Sequence, residues 1–279
     1  MDAPVQVKSF VVLGDSGFIG SAFLRHLTST NERVVGINRN RVTVIEDRTA
    51  KEYLRESRDI FNEMKPLLSE NTVVINAIWA KNDRQNRQSS IHQECALQEI
   101  SLINHLQGLG TNYVSFGSIA EINDAQVSPS LSTEYSKSKK QILEHLSGSS
   151  LQSIWMRIAS CYGPEDRRDW LLTQLLAGWK NGEEISVENP NQHLNLCHID
   201  SLVTATLGLL ERNYAGVFNA TTNQWLTVGE IKNCFNTLVE PKYLVRSSGP
   251  FSPGDSESLI VPTPAISEYF TTLKKDYKS

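Results

Sequence analysis

The sequence predicts an α/β protein, a doubly wound parallel sheet joined to a smaller α+β lobe. Three observations predict it. Short apolar runs of buried-strand type alternate with helical patterns through the first 158 residues. A glycine-rich turn separates the first strand from the first helix. Beyond Tyr162-Gly163-Pro164 the alternation loosens into a different texture.

The elements follow in order. Phe10-Val11-Val12-Leu13 is a buried strand that Gly14 ends. Phe18, Ile19, Ala22, Phe23 and Leu27 then recur at helical spacing. Arg33–Ile37, Thr72–Ile75, Asn112–Val114 and Ile154–Ile158 are further strands. Helices are expected at Ile91–Leu106, stopped by Gly108 and Gly110, and at Tyr135–Leu146. Right-handed crossovers place a ligand at the carboxyl ends of such strands. Trp170–Trp179 reads as a helix and Asn189-Pro190-Asn191 as a turn. Ser247–Pro264, rich in Ser, Gly and Pro, reads as a long loop of the kind that covers ligands. The chain therefore divides into residues 1–158, to which 194–222 return, and a lobe of 159–193 and 223–279.

Composition narrows the function. A net charge of -4 and no Lys/Arg tract argue against nucleic-acid binding. No apolar run reaches the roughly 18 to 20 residues of a membrane span. The first residues lack a signal-peptide pattern. Cys95, Cys161, Cys197 and Cys234 are spread without a C-x-x-C pair, which suits reduced thiols in a cytoplasmic protein. No His/Cys/Asp/Glu cluster has metal-ligand spacing, so no metal is expected.

The turn Gly14-Asp15-Ser16-Gly17-Phe18-Ile19-Gly20 has a mechanical reading. A tight turn, a close approach of phosphate to backbone N–H groups, and close helix–strand packing each need a residue without Cβ. The helix N-terminus then faces the phosphates of a dinucleotide, as in a Rossmann-type domain. The same trio also suits a tight turn that binds nothing. The second strand ends in Asn38-Arg39, where an NAD site usually carries an acid. Arg39 suits a 2′-phosphate, so NADP(H) is expected in preference to NAD(H). Solvated loop arginines are the plainer account of Arg39 and Arg41.

Tyr135 and Lys139 stand four apart and share a helix face. A lysine ammonium beside a phenol lowers its pKa and makes Tyr135 a usable acid or base. An exposed basic face is the alternative. Upstream, the strand ending Ser115-Phe116-Gly117-Ser118 puts a hydroxyl where a substrate oxygen would develop charge. Ser118 would otherwise cap the next segment, and Ser115 competes for the role.

Together these motifs resemble the extended short-chain dehydrogenase/reductase family, also called the NAD-dependent epimerase/dehydratase family. The resemblance runs to about Ile231. It identifies Gly14, Gly17 and Gly20 with the family's nucleotide turn and Ser118, Tyr135 and Lys139 with its catalytic trio. Arg157 to Pro164, Cys197-His198-Ile199-Asp200 and Val217-Phe218-Asn219-Ala220 match further family segments in the same order. Ala77 falls in the segment that lines the cofactor, and Trp79 either lines that pocket or belongs to the core. Ser160 stands where many members have an asparagine that touches a sugar nucleotide. Arg167 and Arg168 are candidate contacts to a substrate diphosphate, or a solvated helix start. His198 reads as a structural hydrogen-bonder. Members often form homodimers through the helices that Ile91–Leu106 and Tyr135–Leu146 resemble.

The resemblance implies an NADPH-dependent reductase of a nucleotide-linked 4-keto-6-deoxy sugar, a reaction placed in surface polysaccharide synthesis. Tyr135 would donate the proton, Lys139 would tune Tyr135 and hold the ribose, and Ser118 would orient the carbonyl. Dehydratases of the family carry Asp-Glu after the serine, whereas Ile119-Ala120 follow here and Glu121 is displaced. A sugar-nucleotide epimerase that retains its cofactor is the alternative within the fold. A non-catalytic NADP-binding regulator is the alternative outside enzymology.

Overall fold

The computed structural model describes residues 9–30, 33–46, 49–54, 59–80, 86–122, 133–168, 170–222, 224–239, 241, 244–245, 257–260 and 263–276. Its first half alternates strand and helix because apolar runs and amphipathic stretches alternate. The strands are β1 (Ser9–Leu13), β2 (Arg33–Ile37), β3 (Arg41–Glu46), β4 (Thr49–Leu54), β5 (Thr72–Asn76), β6 (Asn112–Ser118) and β7 (Ser153–Ile158). Between them lie helices α1 (Phe18–Leu27), α2 (Ile60–Met64), α3 (Ile91–Leu106) and α4 (Glu134–Ser147). With β10 (Gly216–Thr221) and β13 (Glu257–Ile260) these strands form a nine-stranded sheet in the order β13-β10-β7-β6-β5-β1-β2-β3-β4.

Alternate residues of each strand feed two cores, as the two-residue period of a strand requires. Phe10, Val12, Val34, Ile75, Phe116 and Met156 meet α1 and α6 (Ile199–Glu211) on one face. Val11, Leu13, Val35, Val74, Tyr113 and Trp155 meet α3 and α4 on the other. Helices on both faces explain why the central strands are apolar throughout. The strand order reverses between β1 and its neighbours β2 and β5, which opens the crevice where such sheets take ligands.

The second lobe holds β8 (Ser160–Tyr162), β9 (His193–His198), β11 (Gln224–Thr227) and β12 (Leu244–Val245) in one sheet. Helices α5 (Leu171–Asn181), α7 (Val228–Thr237) and α8 (Ile266–Asp276) accompany it. Its core gathers Tyr162, Leu175, Leu226, Ile231, Phe235 and Phe270.

Three features differ from the sequence expectation. β3 and β4 add an antiparallel ribbon to the otherwise parallel sheet. β13 lies inside the Ser247–Pro264 stretch expected to be loop, and pairs in parallel with β10. Of the rest of that stretch, residues 247–256, 261 and 262 lie outside the described residues. β9 falls within the segment 194–222 that was expected to return to the first domain, yet it pairs with β8 and β11. Of that segment, α6 packs on the large sheet and β10 pairs into it, while Cys197 of β9 also reaches that core.

Candidate active site

The glycine turn is built as its spacing requires. Gly14 adopts φ +80°, and a Cβ there would meet the Ala77 backbone at 3.1 Å. A Cβ on Gly20 would overlap the Gly14 carbonyl, so α1 rests on the turn only because position 20 is bare. The Gly14 N–H donates to the Ile37 carbonyl at 2.7 Å, and the Ala77 N–H to the Leu13 carbonyl at 2.9 Å. These bonds tie the ends of β1, β2 and β5 together. Gly17 caps α1, and no side chain caps it. Its first N–H groups therefore face outward for an anion.

A cavity of about 690 Å³ opens over this turn. That volume suits a ligand of dinucleotide class. Gly14, Ser16, Gly17, Asn38, Arg39 and Ala77, the residues proposed from the sequence to hold a cofactor, are among those that line it. Asp15, Phe18, Ile19 and Gly20 support the turn from outside its lining. Asp15 points inward, 3% exposed, and accepts from the Asn38 side-chain amide at 2.8 Å. Burial holds its carboxyl above the usual aspartate range, against the Asn38 bond. Asn38 Oδ1 in turn accepts from the Asn40 and Arg41 N–H groups at 3.0 and 3.1 Å. Asn38 thus fixes the bend that presents Arg39.

Ser118, Tyr135 and Lys139 come together at the carboxyl end of β6. Thr133 caps α4 in a reciprocal box with Ser136, which starts the helix one residue before Tyr135. Tyr135 is buried and shares a hydrogen bond with Ser118. Ser118 Oγ also accepts from the Ala120 N–H at 3.2 Å, so its capping role and its contact to Tyr135 coexist. Ser115, the competitor, is excluded by its environment. It is 1% exposed and donates to Glu99, which also accepts from the Tyr113 hydroxyl at 2.9 Å.

Two expectations about the trio change. Burial raises the Tyr135 phenol above its ordinary value, with the Ser118 bond opposing, so Tyr135 is a neutral acid at pH 7. Lys139, expected to lower it, is engaged elsewhere. The Lys139 ammonium is buried, donates to the Phe116 carbonyl at 2.7 Å, and lies 3.5 Å from the Trp79 ring centre. Burial pulls the Lys139 pKa down, while Glu99 and Glu121 oppose that pull. Glu121 is itself committed: it pairs with Arg157 and accepts from Trp155 Nε1 at 3.0 Å.

The substrate-side candidates scatter. Ser160 is half-buried in β8 and Arg167 is exposed. Arg168 bonds Asp166 at 2.7 Å and the Cys161 carbonyl, and lies 4.6 Å from the Phe18 ring centre. It therefore reaches the start of α1. His198 caps α6 by accepting from the Asp200 N–H at 3.3 Å and packs on Tyr162, the structural role expected of it. Among the described residues no group of three or more His, Cys, Asp or Glu stands ready for a metal.

Sequence reasoning missed two walls of the cavity. Asp59, Ile60 and Phe61 form one. Cys95, Gln98, Glu99, Leu102 and His105 of α3 form part of the other. Cys95, Gln98, Leu102 and His105 recur every three to four residues, a stripe along one helix face that mixes polar and apolar side chains and so carries no clear amphipathic signal.

The NAD dependent epimerase/dehydratase family matches residues 10–222. The chain belongs to this family. It is an NAD(P)-dependent enzyme of the extended short-chain dehydrogenase/reductase type. No curated protein matches the sequence. Solved structures share the fold at low identity. A dTDP-4-dehydrorhamnose reductase from Clostridium acetobutylicum is 14% identical, with 97% of this epimerase/dehydratase-family chain and 100% of that one covered, at a TM-score of 0.67. RMD from Pseudomonas aeruginosa, solved with NADPH, is 14% identical over 98% and 99%, at 0.70. A UDP-N-acetylglucosamine 4-epimerase from Methanobrevibacter ruminantium is 14% identical over 96% and 99%, also at 0.70.

Proposed function

We propose that this family member is an NADPH-dependent reductase of a nucleotide-linked 4-keto-6-deoxy sugar. The observation that carries the reading is the state of Tyr135. A reductase needs an acid that still holds its proton when the carbonyl oxygen gains charge. Tyr135 is buried, hydrogen-bonded to Ser118 and held above the ordinary phenol range. An epimerase or dehydrogenase begins by taking a proton, for which a raised phenol is poorly suited.

The residues divide the work. The uncapped start of α1 and the bare Gly14 and Gly17 suit the cofactor's pyrophosphate. Arg39, on the bend that Asn38 fixes, suits a 2′-phosphate, which favours NADP(H). The nicotinamide, when bound, supplies the hydride chemistry. Ser118 orients the carbonyl oxygen and Tyr135 protonates it. Lys139 supplies positive charge beneath both.

Absorbance of NADPH tests the proposal, with dTDP-, CDP-, GDP- and UDP-linked 4-keto sugars as substrates and NADH in parallel. Stoichiometric oxidation with one of them is the expected result. Tyr135→Phe should retain NADPH binding and lose about 10²- to 10⁴-fold in kcat, the usual worth of a positioned acid. Inversion of a sugar without net NADPH oxidation would replace the reductase by an epimerase.

A further inference from the structure

The cavity over the glycine turn takes in Trp79 but none of Ser118, Tyr135 and Lys139. The position of Trp79 explains the separation. Its indole covers the Lys139 ammonium at 3.5 Å, meets the Tyr135 ring edge-on at 5.9 Å and stacks on His92 at 5.9 Å. The same residue lines the cavity. The indole therefore stands between the nucleotide space and the catalytic trio.

The local polar groups are poorly served by this placement. Trp79 Nε1, His92 Nδ1 and Arg87 Nε are all buried with no hydrogen-bond partner among the described residues. His92 and Arg87 both flank the Tyr135 ring, at 5.3 and 5.9 Å from its centre. A buried indole N–H normally finds an acceptor. Three such orphans around one tyrosine mark an arrangement that a ligand can improve. Trp79 is also placed where it can move. It is half-buried, and it lies beyond the end of β5 in the irregular segment that follows Asn76. The Ala77 N–H to Leu13 and the Ile78 N–H to Asn76 Oδ1 tie this segment back before Trp79, and a bond between Cys95 and the Ala80 backbone ties it after, so the backbone is held on both sides and the indole side chain is the part free to swing.

We propose that Trp79 is a movable partition that must leave Lys139 before the far half of a dinucleotide can reach Tyr135. The proposal rests on the reading of the cavity as a dinucleotide site. The adenosine half binds without disturbing the indole. The complete dinucleotide displaces it, exchanging the contact between Lys139 and the ring for contacts of its own. Part of its binding free energy is spent on that displacement, so its apparent affinity falls below its intrinsic one.

Calorimetry and tryptophan fluorescence on the wild-type chain, Trp79→Phe and Trp79→Ala test this. The probes are ADP and adenosine 2′,5′-bisphosphate as half-ligands, with NAD+ and NADP+ as complete ones. Half-ligands should bind all three proteins alike. The preferred dinucleotide should bind Trp79→Ala about tenfold more tightly than wild type, once the cost of opening is gone. Wild-type fluorescence should respond to that dinucleotide and not to the half-ligands, and Trp79→Phe should lose the response. Equal dinucleotide affinity in wild type and Trp79→Ala overturns the partition, as does a response that survives in Trp79→Phe. Weaker half-ligand binding by Trp79→Ala also overturns it, because Trp79 would then be a fixed wall. Should wild type bind neither half-ligand nor dinucleotide, the dinucleotide reading itself falls, and the partition with it.

Discussion

At the scale of single residues, Asp15 shows what a buried carboxyl does to a nucleotide turn. Asn38 satisfies one of its oxygens, and Oδ2 has no partner among the described residues. Its folded pKa is raised, chiefly by burial, so the folded state holds the proton more tightly than the unfolded chain does. The stability this contributes is present below the unfolded value near 3.8 and is lost as pH rises through the folded pKa. Asp15→Asn removes that dependence. Its thermal midpoint should exceed that of wild type at pH 8, and the gap should close toward pH 4, as scanning calorimetry at several pH values would show. Only part of this was readable beforehand. The Tyr135–Lys139 spacing is local, so the pair could be read directly. The cover that Trp79 places on Lys139 joins residues sixty positions apart through space, and no periodicity encodes it.

At the scale of elements, the buried pair Glu121–Arg157 joins the short segment after β6 to β7 beneath the trio. The Glu121 side chain is 1% exposed and that of Arg157 is 10% exposed. Arg157→Met leaves a buried carboxylate without its cation and should cost about 3–5 kcal/mol in urea unfolding. Adding Glu121→Leu should recover much of that loss, because two apolar side chains replace a desolvated pair. Helix α3 was legible to its ends, Ile91 and Leu106, because its apolar residues recur at helical spacing between a polar start and two glycines. The ribbon β3–β4 was not. Its strands lie at the sheet edge, and Arg41, Glu46, Lys51 and Glu52 are exposed along them, which dilutes the apolar signal. β13 has four residues held by backbone pairing to β10, too short a run to stand out among Ser, Gly and Pro.

At the scale of the whole molecule, the two lobes are interleaved. The chain leaves the large sheet after β7, returns through α6 and β10, leaves again for β11 and α7, and returns once more for β13. Removing residues 257–279 should therefore damage both lobes. It exposes the edge of β10 and takes Phe270, which is fully buried, from the core of the second lobe. Truncating one such phenylalanine costs about 3–5 kcal/mol, so the shortened chain should fail to show a cooperative thermal transition by circular dichroism. The position of β13 also bears on synthesis. A ribosome delivers the glycine turn, the trio and eight of the nine large-sheet strands well before residue 257 emerges. Until then β10 offers an unpaired row of N–H and C=O groups, a template for the wrong neighbour. The nascent chain thus passes through an interval in which its nucleotide-binding half is nearly complete and yet open at one side, and a chaperone that shields strand edges would act on it then.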